Sequence, residues 1–81
     1  MGLKFKNQYA KKIVDVLENY MKYTTPEIRE WDGLLIIKLT NSGYGIEKLY
    51  TEDYLIDVTY KVLDREINKL VKELWECIAK A

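Results

Sequence analysis

The sequence predicts an α+β fold of two layers with element order α-β-β-β-α: a three-stranded antiparallel meander with two helices on one face. Three observations carry that expectation. Phe5, Tyr9, Ile13, Val16, Leu17 and Tyr20 recur at helical spacing near the start of the chain. Between residues 34 and 63 the apolar residues fall instead into short runs, separated by Asn41-Ser42-Gly43 and Thr51-Glu52-Asp53. From Asp64 onward Ile67, Leu70, Val71, Leu74 and Ile78 return to helical spacing.

Residues 5–22 read as an amphipathic helix, with Lys11, Lys12, Asp15, Glu18, Asn19 and Lys22 on its polar faces. Glu18 and Lys22 form an i,i+4 pair in the favourable order. Residues 23–33, YTTPEIREWDG, connect this helix to the sheet. Thr25-Pro26-Glu27 has the form of a helix start, a hydroxyl cap followed by proline and an acid. The same stretch admits an extended segment from Ile28 to Trp31, hairpinned at Asp32-Gly33. In either case Trp31 is expected to be buried.

Residues 34–40, LLIIKLT, read as a strand, and residues 44–50, YGIEKLY, as its returning partner. Asn41-Ser42-Gly43 supplies hairpin chemistry, because Asn and Gly tolerate positive φ. The third strand is expected at residues 54–63. There Tyr54, Ile56, Val58, Tyr60 and Val62 alternate with Leu55, Asp57, Thr59 and Lys61. The competing reading is one long helix from about Glu52 to Lys80; the aromatic and β-branched residues at period two argue against it. Residues 64–80 form the closing helix, with Asp64 as its N-cap.

Two helices cover one face of such a sheet. With Leu35, Ile37 and Leu39 turned toward them, Leu34, Ile36 and Lys38 point away, as do Leu55 and Lys61 in the third strand. These five residues, Leu34, Ile36, Lys38, Leu55 and Lys61, are the candidate partner-binding surface.

Residues 1–81 suit one small domain. A chain this short buries only about 60% of its unfolded surface, so a disulfide, a metal or a second subunit commonly supports it. Cys77 is the only cysteine and there is no histidine, so neither an internal disulfide nor a structural zinc site is expected. Self-association as a homodimer is therefore expected. No run of about 18 apolar residues is present, so no membrane span is expected. The first residues, MGLKFKN, have no signal-peptide pattern, and Lys6 stands where a myristoylation signal has Ser or Thr. A cytoplasmic location is the expectation.

Net charge is zero but unevenly distributed. Residues 1–22 carry five lysines against two acids, residues 23–57 three bases against seven acids, and residues 58–81 five bases against four acids. The start is thus basic and the middle acidic, a pattern able to dock on a surface of complementary charge.

Nothing in the chain is a catalytic signature, and neither an enzyme nor a cofactor is expected. The commonest general base, histidine, is absent. Cys77 sits near a helix C-terminus, where the dipole disfavours a thiolate. The carboxylate pairs Glu27/Glu30 and Asp53/Asp57 match no metal loop. Gly43 and Gly45 fall in a hairpin rather than before a helix. Tyr44, Tyr50, Tyr54 and Tyr60, with Lys38, Lys48 and Lys61, have the composition of a base-stacking sheet face or of tyrosines packed under helices.

The element order resembles that of double-stranded RNA-binding domains, a family that reads duplex phosphates with a lysine-rich start to its last helix. The matching stretch here, Leu63-Asp64-Arg65-Glu66-Ile67-Asn68-Lys69, has two acids and no Lys-Lys pair. The order is also similar to that of HicA-type toxins, which need a histidine that this chain lacks. Some small phage inhibitors, including certain anti-CRISPR proteins, resemble it in combining a three-stranded sheet with helices, a likeness of fold alone. The function expected first is a small non-enzymatic interaction or regulatory protein that binds another protein, with a phage- or mobile-element-type inhibitor as one form of it. The alternative is a nucleic-acid-binding regulator with that element order, using Lys4, Lys6, Lys11 and Lys12 of the basic N-terminal segment.

Overall fold

The computed structural model describes residues 9–80. Its order is α1 (Ala10–Glu18), β1 (Thr25–Trp31), β2 (Leu34–Asn41), β3 (Tyr44–Thr51), α2 (Glu52–Asp57) and α3 (Tyr60–Lys80). The strands form an antiparallel sheet in the order β1-β2-β3, and the helices pack on one face of it. The α+β meander is therefore present, but its first strand is Thr25–Trp31, and residues 54–63 span the end of α2, a break at Val58-Thr59 and the start of α3.

Two tight turns set the register. Trp31 pairs with Leu34 across Asp32-Gly33, and Asn41 pairs with Tyr44 across Ser42-Gly43. Both loop residues in each hairpin have positive φ: 49° and 79° at Asp32 and Gly33, 53° and 83° at Ser42 and Gly43. That is the conformation two-residue hairpins need to match strand twist. The extended reading of residues 28–31 is correct, and it begins earlier, at Thr25. Thr25-Pro26 does not start a helix. Pro26 lies near the beginning of an edge strand, a position where a missing N–H is tolerated.

Residues 54–63 need a fuller correction. Thr51 caps α2, its Oγ1 accepting from the Tyr54 N–H at 3.2 Å, and Glu52 and Asp53 fall in the first turn, where they suit the dipole. The other end of α2 is capped by a side chain 43 to 46 residues earlier. Lys12 Nζ donates to the carbonyls of Leu55, Ile56 and Val58 at 2.8, 3.2 and 2.9 Å. The chain is extended at Val58, and Thr59 Oγ1 accepts from the Val62 N–H at 3.3 Å as α3 begins. The long-helix reading was thus nearer the structure, with a break at Val58-Thr59. Burial follows the helices: Leu55, Val58, Leu63 and Ile67 face the core, while Tyr54, Ile56, Tyr60 and Val62 are exposed. Asp64 is interior to α3 rather than its cap.

The core joins Ile13, Val16 and Leu17 of α1, Leu35, Ile37 and Leu39 of β2, Tyr50 of β3, and Leu55, Leu63, Ile67 and Leu74 of the last two helices. Contacts from α1 reach α2 and α3 in chain order. Lys12 meets the end of α2, Asp15 accepts from the Tyr60 hydroxyl at 3.3 Å, and the Tyr20 hydroxyl donates to Asp64 Oδ1 at 2.9 Å. The two helices therefore run alongside each other in the same direction. Phe5, with which the first helix was expected to begin, lies outside the described residues, and Lys22 falls in the turn after α1.

Candidate protein-binding surface

Alternation along β2 decides what the sheet leaves uncovered. Leu35, Ile37 and Leu39 are at most 2% exposed, whereas Leu34, Ile36 and Lys38 are only half-buried on the opposite face. Cross-strand register extends that face into rows, because directly paired residues point the same way. One row is Trp31, Leu34 and Thr51, and the next is Arg29, Ile36 and Leu49. Then come Glu27, Lys38 and Glu47, and finally Thr25, Thr40 and Gly45.

Two chemistries share the face. The first two rows hold an apolar cluster of Trp31, Leu34, Ile36 and Leu49, with Trp31 69% and Leu49 60% exposed. The third row is charged. Arg29 Nη2 reaches diagonally to Glu47 Oε2 at 3.4 Å, the one ion pair among the described residues. Acids also bracket the apolar end, with Asp32 in the turn after Trp31 and Glu52 and Asp53 after Thr51.

Leu34, Ile36 and Lys38 thus lie together as the sequence predicts. Leu55 does not: it is fully buried, because the segment is a helix with that side turned inward. Lys61 is exposed on α3, away from the sheet face. Trp31, expected to be buried, is the most exposed large apolar residue described, and Leu49 was not picked out. Trp31 depends on β1 pairing with β2, and the sequence left β1 unresolved; Leu49 depends on the β2–β3 register, which sets it opposite Ile36. Of the lysines considered for nucleic acid, Lys4 and Lys6 lie outside the described residues, Lys11 is exposed on α1, and Lys12 is committed to capping α2.

Tyr20, Tyr50, Tyr54 and Tyr60 are tied to carboxylates, while Tyr44 is exposed beside the β2–β3 turn. Tyr50 and Tyr54 stack with ring centroids 5.8 Å apart, and Lys48 Nζ sits 5.4 Å from the Tyr50 ring centre. Both hydroxyls donate to one carboxylate, Tyr50 to Glu66 Oε1 at 2.9 Å and Tyr54 to Glu66 Oε2. Burial, and then the hydrogen bond to Glu66, hold the Tyr50 hydroxyl far above the ordinary tyrosine range. For Tyr54 the hydrogen bond to Glu66 is the larger cause of an upward shift. Tyr20 is raised chiefly by burial, with Asp64 adding to it. These rings are held by carboxylates, not arrayed on the open sheet face for bases.

Glu27 and Glu30 fall on opposite faces of β1, so the pair noted in the sequence does not converge. Asp53 and Asp57 are both exposed on α2. Cys77 is exposed and free. Among the described residues no three His, Cys, Asp or Glu side chains gather as metal ligands, and no helix is long and apolar enough to cross a membrane. No family model, curated protein or solved structure matches the chain.

Proposed function

We propose that this chain is a non-enzymatic interaction protein that binds another protein through the uncovered face of its sheet. The observation that carries this reading is the cluster of Trp31, Leu34, Ile36 and Leu49 left open on that face. An exposed tryptophan among aliphatic residues, rimmed by charge, has the composition of an interface centre. The rim also indicates the occupant. On one side of the cluster Glu27 and Glu47 are offset by Lys38 and Arg29, and on the other Asp32, Glu52 and Asp53 leave a net acidic rim. The complementary partner is a protein with an apolar patch that carries basic groups at the edge meeting Asp32, Glu52 and Asp53. A small protein that occupies such a patch acts as an adaptor or an inhibitor.

A second copy of the chain is the competing occupant. Face-to-face packing about a two-fold axis along β2 superposes each row on itself with the edges exchanged. Glu27 would then oppose the Glu47 of the other copy, and Lys38 would oppose Lys38. Those like charges disfavour that packing of two copies.

The test compares wild type with Ile36→Glu, first by light scattering and then as bait in a lysate of the source cells. A supporting result has three parts: a monomer by mass, a protein retained by wild type but not by Ile36→Glu, and a blue-shifted Trp31 emission when that protein is purified and added to a Trp75→Phe background. Equal retention by Ile36→Glu would remove the sheet face as the interface. A wild-type dimer that Ile36→Glu converts to monomer would assign the face to self-association.

A further inference from the structure

The outer side of α3 carries a stripe of cations that is broken up in the sequence and continuous in the fold. Lys61, Arg65, Lys69 and Lys72 stand at intervals of four, four and three, which places them on one side of the helix. All four are exposed, and none makes an ion pair within the described residues. They line a shallow groove of about 440 Å³ together with Asp64 and Asn68. Like charges at i,i+4 repel, so the stripe is not there to stabilise the helix.

Of the two acids between these cations, Asp64 stays in the groove lining with one oxygen engaged by a tyrosine, and Glu66 is turned away. Asp64 Oδ1 accepts the Tyr20 hydroxyl at 2.9 Å, on the α1 side of the groove. Glu66 is turned the other way, to accept from Tyr50 and Tyr54. Between the cations, beside Asp64, lies Asn68, whose Nδ2 donates to Tyr20 Oη at 3.3 Å.

We propose that the Lys61–Arg65–Lys69–Lys72 stripe binds the phosphodiester backbone of a nucleic acid, independently of the sheet-face reading. Successive cations at i,i+4 are separated by about 6 Å along the axis, and the stripe is about 16 Å long. That spans several phosphates of a single strand or a duplex. The chemistry disfavours the other polyanions. A membrane-surface helix needs bulky apolar residues beside its cations, and a protein interface needs an apolar centre; the groove lining has neither. The groove lining holds no aromatic group, exposed Trp75 standing one turn beyond Lys72, and no base-reading amide pair, so the stripe recognises backbone charge rather than sequence, and DNA and RNA should bind alike.

The test is fluorescence anisotropy with four labelled 20-mers, as DNA and RNA duplexes and single strands, from 25 to 200 mM salt. Arg65→Gln/Lys69→Gln/Lys72→Gln is compared with Lys11→Gln/Lys22→Gln/Lys80→Gln, which removes the same charge elsewhere. Far-UV circular dichroism checks that both stay folded. The expected result is salt-dependent binding by wild type, weakened tenfold or more in the stripe variant. The slope of log K against log salt should fall by about 2 to 3, because each phosphate contact contributes roughly 0.7 to 0.9. The control variant should lose less than threefold. Equal loss in both variants, absence of salt-dependent binding to all four probes, or tighter binding to phosphatidylserine vesicles or polyglutamate would each overturn the proposal. Ile36→Glu keeps the stripe intact and should bind the probes as wild type does, so failure of this inference leaves the sheet-face reading standing.

Discussion

Ile36 and Ile37 are adjacent, identical in chemistry and opposite in fate. Ile37 is completely buried under the helices, while Ile36 lies on the uncovered face beside Leu49 and Trp31. The same division runs through the whole sheet, with Leu35, Leu39 and Tyr50 on one side and Leu34 and Leu49 on the other. Hydropathy does not distinguish the two sides; the supply of helices does. Burial of an apolar side chain stabilises at about 25 cal/mol per Å². On the covered face that stabilisation is realised within the chain, and on the open face it is available to a partner.

The sharpest way to break the comparison is to truncate both isoleucines. Ile37→Ala should destabilise by about 2 to 5 kcal/mol, because it removes core contacts and leaves a cavity. Chemical denaturation measures this as a lower midpoint with little change in slope. A cost under about 1 kcal/mol would mean the helices do not cover this face as described.

Lys12 tests how the cover is attached. Its ammonium satisfies three carbonyls at the α2–α3 break. Lys12→Met keeps much of the stem but removes the donors, and should cost about 1 to 2 kcal/mol. Hydrogen exchange should show the loss first at residues 55–62. Uniform loosening across the sheet would argue instead that the helices and sheet unfold as one unit.

The tyrosine–carboxylate contacts give the cover a pH dependence. The hydroxyls of Tyr50, Tyr54, Tyr20 and Tyr60 are all raised above their unfolded value near 10. The folded state therefore holds these protons after the unfolded state has released them. Stability is fully present below pH of about 10 and is lost as pH rises beyond it. Tyr50→Phe should flatten part of that alkaline decline in thermal melts. Glu66→Gln should lower stability at neutral pH by about 1 kcal/mol and leave much of the decline in place, because burial is the larger cause of the Tyr50 shift. An alkaline profile unchanged in Tyr50→Phe would mean that the other tyrosines carry it.

The covered and uncovered faces of β2 were legible in the sequence because a strand has a period of two and its turns announce themselves. Asp32-Gly33 and Ser42-Gly43 mark both hairpins, and Leu34 to Leu39 keep the alternation. Residues 54–63 show the same alternation and fold as parts of two helices with a break at Val58-Thr59. The deciding groups there are Thr51 at one end of α2, Lys12 from α1 at the other, and Thr59 at the start of α3. The two threonines are local signals outweighed by strand propensity, and Lys12 acts across 43 to 46 residues. The candidate surface followed suit. Leu34, Ile36 and Lys38 were found from alternation alone, whereas Trp31 and Leu49 needed the pairing of three strands. The α3 stripe was hidden because Asp64 and Glu66 interrupt it in sequence, and only their tyrosine partners show which way each acid turns.

The smallest effect on stability belongs to the other isoleucine. Ile36→Ala deletes a side chain that touches neighbours on only one face, so its cost should be under about 1 kcal/mol. Ile36→Thr keeps the β-branched shape that suits a strand and should cost less still. Neither should move the Tyr50–Glu66 contact, which lies on the covered side. The pair of truncations is informative because the two residues share a strand and a residue type, so intrinsic propensity cancels between them. A large cost at Ile36 as well as Ile37, growing with protein concentration, would show that the open face is already covered by a second copy in solution.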